Sequence, residues 1–178
     1  MGSNPTATAK QPSPPHPGWH DGAVTHDGAA PEPAPVDVRL GDADRDLADR
    51  LDEAIYDFNA QSTGLDDGRE LTIRATDYSG RLVAGLSGWT WGGCGYVDVL
   101  WVRDDARGHG LGSRLLRAAE AEAARRGCVQ MALSTHSFQA PGFYLGRGYV
   151  EVGRTDDYPV GHSQLHLRKP LRGGPTTS

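Results

Sequence analysis

A chain of 178 residues with 37% apolar side chains suits one domain with a sizeable core. Its formal net charge of -5 argues against nucleic acid, which wants a basic face, and mildly favours a cationic ligand. Two cysteines, Cys94 and Cys128, form neither a disulfide framework nor a CxxC pair and read as small buried apolar residues. The seven histidines match no ligand spacing, so no metal is expected.

Residues 1 to 35 hold eight of the twelve prolines, at 5, 12, 14, 15, 17, 31, 33 and 35, and almost no branched apolar residues. Such a segment cannot bury enough surface to offset ordering entropy and is expected to be disordered. It has no apolar stretch of signal-peptide length, and no later run approaches membrane-spanning length, so a soluble, cytoplasmic protein is expected. The folded domain is expected over residues 36 to 172, with a flexible end from 173 to 178.

Residues 36 to 42 alternate Val-Asp-Val-Arg-Leu, which predicts a first strand. From 45 to 59, Leu47, Leu51, Ala54, Ile55 and Phe58 mark one helical face, with Asp42 or Asp44 as its cap. A loop over 61 to 68 leads to two strands, 70 to 78 and 82 to 91, joined by a tight turn at Ser79 and Gly80. Glycines are dense in and after the second strand, which predicts bulges or close approach of a ligand. Trp89 and Trp91 share one face there, as pocket floor or as core. A strand over 95 to 102 precedes a helix that stops at Gly127, and a strand from Val129 through Ser134 follows. A short helix and two closing strands, from Tyr149 and from Ser163, complete the chain.

The strand ending Leu100, Trp101, Val102 runs into Arg107-Gly108-His109-Gly110-Leu111-Gly112-Ser113, with glycines at a helix N-terminus. There the first N–H groups lack intrahelical partners and the dipole end is positive, so a phosphate is the natural guest. A P-loop fails, because Gly112 is followed by Ser113 and Arg114 rather than Lys and Ser/Thr. A dinucleotide fingerprint fails too: counted from Gly108 it needs glycine at 113, and no acid occurs from 123 through 150 to hold a ribose.

The pattern Arg-x-x-Gly-x-Gly resembles motif A of the GNAT superfamily of acyl-CoA-dependent N-acetyltransferases. A second block, Phe143-Tyr144-Leu145-Gly146-Arg147-Gly148-Tyr149, resembles that family's Tyr-x-x-x-Gly-Phe/Tyr segment, and the likeness spans about residues 36 to 171. It implies an α/β GNAT fold: a mixed, mostly antiparallel sheet of six to seven strands with helices on both faces. It also implies acetyl-CoA as co-substrate, held by Leu100, Trp101, Val102, the 107 to 113 loop and Gln139. In the family a parallel strand pair splays just after the equivalent of residues 100 to 102, with the Val102 N–H polarising the acetyl carbonyl. Tyr144 matches the tyrosine that protonates the departing thiolate, and Tyr149 a packing position. Asp98 lies four residues before Val102, hence on one strand face, and resembles the family's base, or anchors the amine. Tyr56, Asp57, Trp89, Trp91, His136, Asp157, Tyr158 and His162 are acceptor-side candidates. The implied activity is acetylation of a small amine by direct attack in a ternary complex, by a monomer or homodimer. Acidic balance and aromatic residues suit a polyamino antibiotic of the aminoglycoside kind, kasugamycin-like. Acetylation of peptides, or a silent acyl-CoA sensor, is the alternative.

Overall fold

The computed structural model describes residues 36–171. Two compact units divide at Asp52 and Glu53. In the first, residues 36 to 44 form no strand, contrary to the alternation read in the sequence. Val36, Val38 and Leu40 are all largely exposed, so the alternating apolar side chains have no buried face to fill, and alternation without burial does not make a strand. Helix α1, Arg45–Thr63, starts in this unit, and Asp44 caps it through Oδ1, which accepts the Leu47 N–H at 2.9 Å. No residue of α1 is buried, although its apolar stripe falls where the periodicity put it.

The second unit is built on a six-stranded sheet in the order β1-β2-β3-β4-β6-β5. Strands β1 (Arg69–Thr76), β2 (Leu82–Trp91) and β3 (Cys94–Val102) are an antiparallel meander. The turn between the first two puts Gly80 at φ +79°, with its N–H donating to the Asp77 carbonyl. Asp77 Oδ1 also accepts from the amides of Ser79 and Arg81. A short 3-10 turn, Asp104–Ala106, leads to helix α2, Leu111–Arg125, and then to β4, Gln130–His136, which runs parallel to β3. Helix α3, Pro141–Leu145, precedes the hairpin of β5 (Val150–Asp156) and β6 (Ser163–Pro170), and β6 returns antiparallel to β4.

The core lies between α2 and one face of this sheet. Leu115, Leu116, Ala119 and Ala123, at helical spacing, pack with Leu71, Ala84, Leu86, Val97, Met131, Leu133, Leu165 and Leu167. Small residues set the distance of closest approach. Ala119 and Ala123 are fully buried, and a Cβ at Gly95 on β3 would lie 3.0 Å from that of Ala123. At the far end of α2, Arg126 Nη1 donates to the Glu70 carbonyl and to Thr90 Oγ1, tying the helix to the meander.

Candidate active site

One irregularity in β3 organises the site. Its pairing with β2 slips between Ser87, opposite Val99, and Gly88, opposite Val97, so Asp98 is the extra residue of a β-bulge. Gly88 is needed here because a Cβ would strike the Tyr96 carbonyl. The bulge corrects the parity reading of Asp98. Strict alternation would set Asp98 with Leu100 and Val102, but it is Val97 that joins those two in the core, while Asp98 is exposed.

Beside the bulge, β3 and β4 part. Their parallel register runs from Cys94 opposite Gln130 to Val97 opposite Leu133 and stops there, although β3 continues to Val102 and β4 to His136. The separation therefore begins at Asp98, and Leu100 to Val102 line the gap rather than precede it, which corrects the family-based expectation. The Arg103 N–H donates to Val83 of β2 at 2.8 Å. By antiparallel alternation the N–H and C=O of Val102 and Leu100 then face the other edge, where β4 no longer pairs. The Val102 carbonyl on that edge accepts Arg107 Nε at 3.0 Å.

The glycine loop sits where β3 ends. Gly108 and Gly110 have φ of +78° and +77°, which only glycine takes without strain, and Gly110 is the N-cap of α2. A Cβ at either would meet nothing within 4 Å, so the cradle is open toward the free N–H groups of Leu111, Gly112 and Ser113. Gly112 differs. A Cβ there would lie 3.3 Å from the Phe143 ring, so this glycine serves helix packing. Arg107 holds the loop through Nη2 to Asp104, 2.7 Å away, and His109 is exposed in its middle. Free amides, a helix dipole and an open cradle fit the pyrophosphate of coenzyme A. Among the described residues no cluster of three or more His, Cys, Asp or Glu could hold a metal ion.

Tyr144 on α3 is buried, edge-on to Phe143 at 5.0 Å and to Tyr149 at 5.9 Å between ring centroids. Burial pushes its phenol up to about 12. Burial raises Tyr149 as well, with Glu120 adding to the effect. The hydroxyl of Tyr149 is sealed from solvent with the Glu120 carboxylate beside it.

The acceptor-side candidates divide into two groups. Tyr56 has a local task, its hydroxyl accepting the Gly68 N–H at 3.1 Å, and Asp57 is exposed. Trp89 stacks on Tyr96 at 5.3 Å, and Trp91 donates from Nε1 to the Leu65 carbonyl at 2.9 Å. The second group comes together at the end of β4 and the β5–β6 loop. His136 stacks on Phe138 at 5.2 Å and meets Tyr158 edge-on, while Phe138 meets His162 edge-on at 4.9 Å. Phe138 and Tyr158 are 53% and 41% exposed, so their rings remain available for contact. Asp157, at φ +52°, turns the loop and accepts the Gly161 N–H, and the peptide Tyr158–Pro159 is cis. Gln139, read as a cofactor residue, uses its side-chain oxygen on the Thr135 hydroxyl and the His136 N–H. Sequence reasoning passed over Phe138, whose only signal was a large aromatic in a loop directly after a strand.

The acetyltransferase (GNAT) family model matches residues 39–149. Blasticidin-S acetyltransferase of Streptomyces morookaense is 43% identical over 112 residues, 59% of this chain and 80% of that protein. An aminoglycoside 2'-N-acetyltransferase of Mycolicibacterium fortuitum is 40% identical over 57 residues, 32% of this chain and 28% of that one. A solved acetyltransferase from Agrobacterium tumefaciens superposes with a TM-score of 0.71 at 29% identity, over 76% of this chain and 99% of the other. The family match covers more than half of the chain, and the chain belongs to the GNAT family as an acyl-CoA-dependent N-acetyltransferase.

Proposed function

We propose that this enzyme acetylates a primary amine of an antibiotic-type small molecule, by direct attack on acetyl-CoA in a ternary complex. The observation that carries the reading is the opened strand pair: β3 has no β4 partner across from Val99 to Val102 and leads on to the glycine-capped N-terminus of α2. The antibiotic class rests on the blasticidin-S and aminoglycoside relatives and on the acidic balance of the chain.

When bound, acetyl-CoA supplies a thioester whose carbonyl accepts the amine and whose thiolate leaves. The amides of Leu111, Gly112 and Ser113 hold its pyrophosphate, with Gly108 and Gly110 leaving the approach clear. The Val102 N–H, fixed in a strand before the reaction begins, donates to the acetyl oxygen as charge develops there. Tyr144 donates its proton toward the departing sulfur; a phenol held near 12 keeps that proton through the neutral range. Asp98 attracts the acceptor ammonium and takes its proton, directly or through water. His136, Phe138, Tyr158 and His162 present ring faces and edges to the acceptor.

The deciding experiment is thiol release from acetyl-CoA by the purified full chain, with blasticidin S and a panel of aminoglycosides including kasugamycin as amines. Turnover on blasticidin S is expected. Turnover on peptides alone would exclude the antibiotic class, and acetyl-CoA binding without turnover on any amine would favour an acyl-CoA sensor.

A further inference from the structure

Arg147 lies two residues past the end of α3, and its guanidinium reaches across to the first turn of α2. Nε and Nη2 both donate to the Ser113 hydroxyl, at 3.1 and 2.5 Å, while Nη1 donates to the Phe143 carbonyl at 2.6 Å. The guanidinium carbon stands 3.8 Å from the centroid of the Phe143 ring. That ring in turn closes on α2, where Gly112 leaves it room. One side chain therefore grips the third residue of the anion-binding terminus, a carbonyl of the tyrosine-bearing helix, and the aromatic ring next to Tyr144.

The partners of this half-buried cation are a hydroxyl, a carbonyl and a ring, all neutral. Plain packing would be served more cheaply by leucine or methionine, since a cation with neutral partners keeps part of its desolvation cost. What the guanidinium adds is direction: a rigid planar fork fixes angle as well as distance, which a flexible ammonium cannot do. The loop and α3 have no other cross-link of this kind among the described hydrogen bonds.

We infer that Arg147 is a positioning residue that locks α3 to the first turn of α2, so that the phosphate-binding amides and the Tyr144 hydroxyl keep one spacing across the bound thioester. The inference rests on the roles given above to the loop and to Tyr144, and its test separates the two. Calorimetric titration of the full chain with acetyl-CoA should show affinity falling about tenfold in Arg147→Met and in Ser113→Ala, with no further loss in the double variant, because both remove the same link. Arg147→Lys keeps the charge without the fork and should stay weak. Affinity within twofold of the parent in Arg147→Met, or full recovery in Arg147→Lys, overturns the lock. If Arg147→Met does not fold, Ser113→Ala, which loses one hydroxyl, carries the same expectation and the same refutation. The rate of acetyl transfer supplies the second arm, with blasticidin S as the amine. Arg147→Met should lower kcat about tenfold in the parent but less than twofold in a Tyr144→Phe background, since the lock then has no acid to place. Equal losses in both backgrounds overturn the connection to Tyr144. Should Tyr144→Phe by itself keep full rate, the acid assignment fails, and the affinity arm still decides the lock.

Discussion

The two sides of the opened strand pair are made from different parts of the polypeptide. In the proposed reading the cofactor side is made of backbone: amides at the start of α2, the edge of β3 past its bulge, and glycines that keep side chains out of the way. The proposed acceptor side is made of side chains, four rings gathered from the end of β4 and the β5–β6 loop. A backbone site constrains sequence through what it forbids, so it leaves a glycine signature. A side-chain site constrains it through what its one ligand prefers, and another chain of the same fold can use different residues there. Substitutions should therefore divide cleanly: some change acetyl-CoA affinity, others change use of the amine, and few change both.

Tyr144 is the proposed acid, and removal of its hydroxyl should have the largest effect. Tyr144→Phe keeps the ring packed against Phe143 and Tyr149, so acetyl-CoA affinity and melting temperature should hold while kcat falls about 10²-fold, the lower end for loss of a general acid. With the phenol pushed up to about 12, the parent should show no descending limb from this group across neutral and mildly alkaline pH. The two kcat profiles should then run parallel, offset by a constant factor. A fall in the parent near pH 9 that is missing in the variant would contradict the buried-phenol assignment, and single-turnover rates would show whether product release masks the difference.

The cofactor side breaks next. Gly110→Val asks a β-branched residue to take φ +77°, and Gly108 stands at almost the same angle. Acetyl-CoA affinity should fall about tenfold or more, from a strain of roughly 1–2 kcal/mol and from a side chain in the open cradle. Gly112→Ala should act differently, loosening the Phe143 contact and lowering melting temperature along with affinity, because its Cβ meets a ring and not the cradle. Equal affinity in Gly110→Val and parent would remove the pyrophosphate from this loop.

Much of this was legible in the sequence, and the limits have physical causes. The meander, α2, β4 and the closing hairpin were readable because periodicity and turn glycines agree there, as at Gly80 and Gly127, both at positive φ. The predicted first strand at 36 to 42 failed because alternation is evidence only when one face is buried, and those residues are exposed. Asp98 was misplaced by parity because a bulge is invisible to a period-two argument; its one trace was Gly88 on the neighbouring strand. Of the aromatic cluster, His136, Tyr158 and His162 were legible as acceptor-side candidates and Phe138 was not, because its members come from separate segments and only the return of β6 beside β4 brings residues 136 and 138 to residues 158 and 162.

On the acceptor side, Tyr158→Ala and Phe138→Leu should each raise KM for the amine about fivefold to tenfold, the scale of one lost ring contact of about 1–1.5 kcal/mol. Acetyl-CoA affinity should stay unchanged in both. A loss confined to acetyl-CoA affinity would move these rings to the other side of the comparison. Asp98→Asn sharpens it further: a base would lower kcat, whereas an ammonium anchor would raise KM for the amine and leave kcat nearly intact.

The smallest expected effect lies at the end of α2 away from the loop, and it asks whether the scaffold is separable from the site. Hydrogen bonds from Arg125 and then Arg126 hold the Glu122 carboxylate down at about 2, well below its ordinary 4.5. A depressed carboxylate contributes stability that is complete above its unfolded pKa and disappears as pH falls through the folded one, here between about 4.5 and 2. Glu122 is solvent-accessible in this network, so screening keeps the contribution small and salt should reduce it further. Glu122→Gln should therefore lower melting temperature slightly at neutral pH and flatten its decline across that acid window, with acetyl-CoA affinity unchanged at pH 7. Arg126 also fastens α2 to Glu70 and Thr90, so freeing it from Glu122 tests whether that tie needs its acidic neighbour. A parallel drop in acetyl-CoA affinity would mean that strain at one end of the helix reaches the glycine loop at the other, and that cofactor binding depends on the whole length of α2 rather than on its first turn.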